Sequence, residues 1–212
     1  MSPAVDCVVF DIGNVLLRWD PRILARRMGL DAAAYASLTA ETALDEVNHR
    51  QLDAGRPYAA TLAVLAKRFP RHREFLAAWD TRWTEMLDGP IDANVALLAE
   101  LRGARFPVHA LSNFSAVKFE LTRRLYPFLD GFDTRIISGE IGLVKPDRDI
   151  FDHLIAASGL IPRRAVFIDD SAPNIAAADA LGFHTIHYTG ASVDVRARLV
   201  ALGLPVADRS GG

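Results

Sequence analysis

Short apolar runs that end in a polar residue recur along this chain, and between them apolar residues fall at helical spacing. Residues 5–10 form such a run, β-branched and closed by Asp11. The run predicts a buried parallel strand whose carboxyl end presents the aspartate. Gly13 and Asn14 follow, two residue types that tolerate unusual backbone angles. From Asp20 to about Leu87 the texture becomes Ala-, Leu- and Arg-rich, with helical spacing and no convincing strand. Leu62, Leu65 and Phe69 share one helical face there, Trp79 and Trp83 stand four apart, and Pro57, Pro70 and Pro90 punctuate the helices. The two tryptophans read as helix–helix core rather than as a stacking pair for a ligand.

After Pro90 strands and helices alternate. Val95, Leu98 and Leu101 mark a helix, and residues 106–111 a strand ending in Ser112 and Asn113. Val117, Leu121 and Leu125 mark the next helix, Thr134–Ile137 the next strand, and Ile150, Phe151, Leu154 and Ile155 a further helical stripe. Residues 165–168 are a strand ending in Asp169 and Asp170, followed by a helix through Ile175, Ala178 and Leu181. A last strand (184–188) and helix (193–202) precede a tail, 208–212, expected to be disordered. This alternation implies an α/β fold with a doubly wound parallel sheet, interrupted by an all-helical insertion.

Composition narrows the function. The 212 residues are 50% hydrophobic and 24% charged, with a net charge of −2 and scattered basic residues, so nucleic acid is not an expected partner. The single cysteine, Cys7, excludes an internal disulfide framework and reads as core packing. The opening residues have no basic region or long apolar run, and no stretch approaches the roughly 18 apolar residues of a membrane helix. A soluble, cytoplasmic protein without membrane partners, monomeric or homodimeric, is expected. The six histidines have no metal-ligand spacing.

In a doubly wound sheet ligands bind at the carboxyl ends of the strands, which is where Asp11, Ser112-Asn113 and Asp169-Asp170 fall. Each alone is a weak signal, since a strand end, a turn or a helix cap would explain it. Together with Gly142-Leu143-Val144-Lys145-Pro146-Asp147 they resemble, over nearly the whole chain, the four ordered motifs of the haloacid dehalogenase (HAD) superfamily. The resemblance implies a Rossmann-like core, residues 1–19 and 88–212, with a helical cap at 20–87. It also implies a Mg²⁺-dependent phosphatase acting on a small phosphorylated molecule, with Asp11, Ser112 and Lys145 as catalytic residues. The residue types suit those roles. A carboxylate attacking phosphorus forms an acyl phosphate and splits one difficult displacement into two. Asp11, Asp170 and the Gly13 carbonyl supply hard oxygens for the metal, with Asp169 holding a coordinated water. Ser112, Asn113 and Lys145 meet the phosphoryl oxygens.

One position departs from the pattern. Most phosphatases of the superfamily carry a second aspartate two residues after the nucleophile, as general acid and base; here that residue is Gly13. Such help is typically worth about 10²–10⁴-fold. The Asp-x-Gly-Asn-Val variant resembles a subgroup of sugar-phosphate phosphatases, where an acidic anomeric hydroxyl leaves easily. Asp45, Glu46 and His49 of the insertion are alternative proton donors among which the sequence does not choose. The rivals are a 2-haloacid dehalogenase, to which the acidic pair 169–170 would be useless, and a catalytically weak phosphate-binding regulatory protein. A response-regulator receiver would place its acidic pair after the first strand and carry no such insertion.

Overall fold

The computed structural model describes residues 5–207, so the expected disorder of 208–212 lies outside them. Strand β1 (Cys7–Phe10) alternates its side chains between two faces. Val8 and Phe10 join one apolar core, and Cys7 and Val9 another. After β1 come β2 (Leu17–Trp19) and the helices α1 (Pro21–Arg27), α2 (Ala32–Thr42) and α3 (Leu44–Val47). A π-type turn over Asn48–Leu52 leads to α4 (Tyr58–Arg68) and α5 (Arg73–Thr81), and β3 (Leu87–Pro90) closes the segment. The expected helical insertion is therefore bracketed by a two-stranded antiparallel ribbon, β2 with β3, that the hydrophobic pattern did not predict.

The remainder alternates as expected: α6 (Asp92–Gly103), β4 (Val108–Ser112), α7 (Ala116–Leu125), β5 (Thr134–Ile137), α8 (Ser138–Ile141) and α9 (Arg148–Ser158). Strand β6 (Ala165–Asp169), α10 (Ala172–Ala180), β7 (His184–His187) and α11 (Val195–Ala201) complete it. The five parallel strands run in the order β5-β4-β1-β6-β7. The chain thus winds outward from β1 through β4 to β5, then returns to the other side of β1, making β1 the switch point at which such sheets bind ligands. Helices α6 and α11 cover one face through Leu97, Leu98, Leu101 and Leu199, and α9 covers the other through Ile150, Phe151 and Leu154.

A third core joins the insertion to the sheet edge. Leu38, Leu44, Leu62, Phe75 and Trp79 pack with Ile12, Phe114 and Phe119. Trp79 and Trp83 are both core as expected, and Trp83 also lines the cavity at the strand ends and packs on Phe114. Helix α7 is in the expected place with its apolar stripe reversed. Val117, Leu121 and Leu125 are 68%, 40% and 57% exposed, while Phe119 and Thr122 are buried. Lys118 is also buried there because its ammonium meets Asp80 Oδ1 at 2.6 Å. Spacing gives a helix but does not say which face turns inward when an ion pair competes for it. No helix among the described residues is long and apolar enough to cross a membrane.

Candidate active site

Strand β1 lies between β4 and β6, with Phe10 opposite Ala110 on one side and Ile168 on the other. Neighbouring parallel strands sit about 4.7–4.9 Å apart, so the residues just past those partners converge: Asp11, Ser112 and Asp169. Asp11 is fixed by its backbone N–H, which donates to the Ile168 carbonyl at 2.9 Å, and by the Ile12 N–H, which donates to Asp11 Oδ1 at 2.7 Å. The Ser112 hydroxyl also bonds to this carboxylate. A cavity of about 300 Å³ opens above them, with Asp11, Ser112, Asn113, Lys145 and Asp170 in its floor.

Lys145 ties the floor together. Its ammonium lies 3.0 Å from Asp11 Oδ1 and 2.6 Å from Asp169 Oδ2, and donates to the Leu111 carbonyl at 2.8 Å. Burial works against the charged lysine, but Asp11 and Asp169 outweigh it and raise its pKa. The Asn113 side chain clamps the same residue by its backbone, accepting from Lys145 N at 2.8 Å and donating to Lys145 O at 2.9 Å. Asn113 thus positions Lys145 with its side chain, a role beyond the phosphoryl contact expected of it.

The acidic pair divides its work. Asp169 is fully buried, and its oxygens accept from Ser171 N (2.8 Å), Asn174 Nδ2 (3.0 Å) and Lys145. Asp170 faces the cavity. One ligand atom each from Asp11, Asp169 and Asp170 lie within 4.8 Å of one another, the only such acidic, His or Cys group among the described residues. Burial pushes the Asp11 carboxyl up to about 7, with Lys145 opposing and Asp169 and Asp170 adding to the rise. Burial and Asp169 raise Asp170 in the same way. Three carboxylates thus cluster about one ammonium that pairs with two of them, and the donor set is all hard oxygen. That chemistry fits Mg²⁺.

Gly13 lines the cavity, and a Cβ built on it would meet nothing within 4 Å. Its backbone is not left-handed; the residue that adopts that conformation is Asn14, at φ 52°. The Asn14 side chain accepts from Trp19 N at 3.0 Å and also bonds to Asp170, so this residue joins the ribbon to the acidic cluster. Of the three alternative proton donors, Asp45 and His49 line the cavity and Glu46 does not. Sequence reasoning missed Asn174, Asn14 and Asp53. A lone amide in the Ala-rich stretch before Ile175 was the available signal for Asn174.

Comparison with known proteins agrees with this arrangement. The model of the haloacid dehalogenase-like hydrolases matches residues 5–182. The chain is 25% identical over 190 residues to a sesquiterpene phosphatase of Aspergillus oryzae, covering 89% of this chain and 92% of that one. It is 28% identical over 193 residues to a D-ribitol-5-phosphate phosphatase of Bacteroides thetaiotaomicron, covering 84% and 89%. A HAD-family enzyme from Bacteroides thetaiotaomicron, solved with magnesium and inorganic phosphate, shares the fold at a TM-score of 0.70 and 21% identity, covering 92% of this chain and 99% of that one. The order of strands, the three strand-end motifs with the Lys145 loop and the family match agree: this chain belongs to the haloacid dehalogenase-like hydrolase family.

Proposed function

We propose that this protein is a Mg²⁺-dependent phosphomonoesterase that works through a phospho-aspartate on Asp11, with a small, hydroxyl-rich phosphate as substrate. The observation that carries the reading is Lys145, which bridges Asp11 at 3.0 Å and Asp169 at 2.6 Å beneath a cavity that Asp170 also faces. In this reading Lys145 and the Ser112 hydroxyl hold the phosphoryl oxygens in line with Asp11, whose carboxylate attacks phosphorus. Asp11, Asp170 and the Gly13 carbonyl hold the Mg²⁺, and Asp169 fixes Lys145 and orients a water. The cation, when bound, offsets the repulsion between carboxylate and phosphate dianion.

The relatives named for their substrates act on very different alcohols, and the polar side chains on the insertion side support the polar kind in this reading. At about 300 Å³ it sits at the small end of ligand sites, roughly 300–1,000 Å³. Asp45, Asn48, His49 and Asp53 stand beside Trp19 and Trp83 on the insertion side. Carboxylates and an amide suit hydroxyl groups, and indole faces suit the apolar face of a sugar or polyol. A long hydrocarbon would leave those polar groups desolvated. We take 20–87 as the cap over a core of 1–19 and 88–212, closed here by Ser138 Oγ on the Asp53 carbonyl (2.6 Å), Lys118 on Asp80 and Arg50 on Asp147 (3.1 Å).

A panel of sugar, polyol, prenyl and aryl phosphates, with and without Mg²⁺, tests the reading. Polyol or sugar phosphates are expected to turn over fastest, and chelator to stop the reaction. Full activity in excess chelator, or turnover of 2-haloacids in place of phosphates, would refute it. Asp170→Asn is expected to raise the Mg²⁺ concentration for half-maximal rate at least tenfold while leaving the melting temperature without metal unchanged or higher. The substitution removes one anion from a cluster already rich in them.

A further inference from the structure

Gly13 leaves the site without the usual proton donor beside the nucleophile, and the cavity is lined on the insertion side by carboxyls that could take that place. We propose that Asp53, at the foot of the helical insertion, is the general acid and base of this enzyme. The assignment rests on the phosphatase reading above.

Three features hold Asp53 in place. Its Oδ2 accepts from Asn48 Nδ2 at 3.1 Å, and the Asn48 amide is oriented by Trp79 Nε1, which donates to Asn48 Oδ1 at 3.2 Å. The Ser115 backbone N–H also bonds to the Asp53 carboxylate, and Ser138 Oγ donates to the Asp53 carbonyl at 2.6 Å. Gly55 then lets the loop lie against α8: at φ +91° a Cβ there would stand 2.8 Å from the Gly139 carbonyl. A residue from the insertion is therefore bonded to the segment that follows β4 and β5, and it faces the same cavity as Asp11. Its named carboxyl neighbours, the Asn48 amide and the Ser115 N–H, are both donors, so an acidic proton on Asp53 is directed to an acceptor other than these.

The alternatives are less suited. Asp45 faces the cavity, but it is exposed and no side-chain hydrogen bond fixes it among the described residues. His49 is held toward its neutral form by burial and by Arg50. Asp53 is the insertion carboxyl whose surroundings include the charge of Asp11; burial first, then Asp11, raises its pKa well above the ordinary value, with the Ser115 N–H opposing. That is the direction a proton donor facing an anionic Asp11 requires.

The step balances. As an Asp11 oxygen bonds to phosphorus, the bond from phosphorus to the leaving oxygen breaks. Its electron pair stays on that oxygen, which takes the Asp53 proton and departs as the alcohol. Asp53, now a carboxylate, accepts a proton from water as the water oxygen attacks phosphorus and displaces Asp11. Inorganic phosphate leaves with Asp53 protonated again.

The test is a plot of log kcat/KM against leaving-group pKa for aryl and alkyl phosphates, with Mg²⁺ present and folding checked by thermal melt. Wild type is expected to give a shallow slope. Asp53→Asn is expected to keep kcat/KM for aryl phosphates within about threefold and to lower it for alkyl phosphates by about 10²-fold or more, while kcat falls for every ester because hydrolysis of phospho-Asp11 is common to all. The double variant Gly13→Asp/Asp53→Asn, for which the open space at Gly13 leaves room, should regain the shallow slope. A steep wild-type slope, or an Asp53→Asn loss in kcat/KM equal for aryl and alkyl esters and not regained in the double variant, would overturn the assignment while leaving the phosphatase reading intact. No turnover of any ester by wild type would overturn that reading, and the assignment with it.

Discussion

Asp11→Asn is expected to lower turnover by on the order of 10⁴-fold or more and, in the same protein freed of metal, to raise the melting temperature. The first effect follows from replacing an anionic nucleophile by a neutral amide of the same shape. The second follows from the charge at the strand ends. Burial and two neighbouring carboxylates lift the folded-state pKa of Asp11 from 3.8 to about 7, so ionising it costs the fold free energy. For a carboxyl with a raised folded pKa, stability falls as pH rises from the ordinary value through the folded one. The metal-free wild type should therefore lose stability between about pH 4 and 7, by on the order of 1–4 kcal/mol. Asp11→Asn should show a flatter profile over that window. Thermal melts in chelator from pH 4 to 8 read this directly. Mg²⁺ should reverse the ranking, since it stabilises whichever form binds it more tightly. If the variant melts lower than wild type at pH 8 in chelator, the buried-charge account of the cluster is wrong.

Lys145→Met should have the largest effect on the fold. The substitution keeps the length of the chain and removes its charge, leaving Asp11 and Asp169 without their shared cation. Breaking one side of a buried ion pair costs about 3–5 kcal/mol. For a domain of this length that corresponds to a drop in melting temperature of roughly 6–20 °C. Turnover should fall by about 10²–10³-fold through loss of a fixed charge facing the phosphoryl group. Adding Asp169→Asn should recover part of the stability and none of the turnover, because it removes the stranded charge without restoring the cation. A Lys145→Met protein as stable as wild type would mean that the lysine is not what holds these carboxylates in place.

How much of this was legible in the sequence depends on whether the cause was local. The apolar runs before Asp11, Ser112 and Asp169 are continuous because both faces of a central parallel strand are covered, and β1, β4 and β6 fall where those runs predict. The convergence of their ends follows from strand order alone, so the floor of the cavity could be named in advance. The ribbon β2–β3 could not. Asp88, Gly89 and Pro90 are poor strand formers, and the pairing is fixed by contacts remote in sequence, such as Asp20 N on the Met86 carbonyl and Ile91 N on the Leu16 carbonyl. The outward face of α7 was hidden for a similar reason, since Lys118 is drawn in by Asp80, 38 positions earlier. Asp53 carried no mark that set it apart from Asp45 or Glu46. Only the folded chain shows that it is clamped by Asn48, Ser115 and Ser138 while Glu46 lies off the cavity.

The measurement that bears most directly on the central claim is chemical trapping of the intermediate. Enzyme turning over a good substrate with Mg²⁺ is quenched, treated with borohydride and digested for peptide mass spectrometry. An acyl phosphate is reduced by borohydride to an alcohol, so a phospho-aspartate at Asp11 becomes homoserine. The account predicts homoserine at position 11, dependent on both substrate and Mg²⁺ and absent from Asp11→Asn. Steady turnover with no reduced residue at position 11, or with homoserine at Asp53, Asp169 or Asp170 instead, would contradict it.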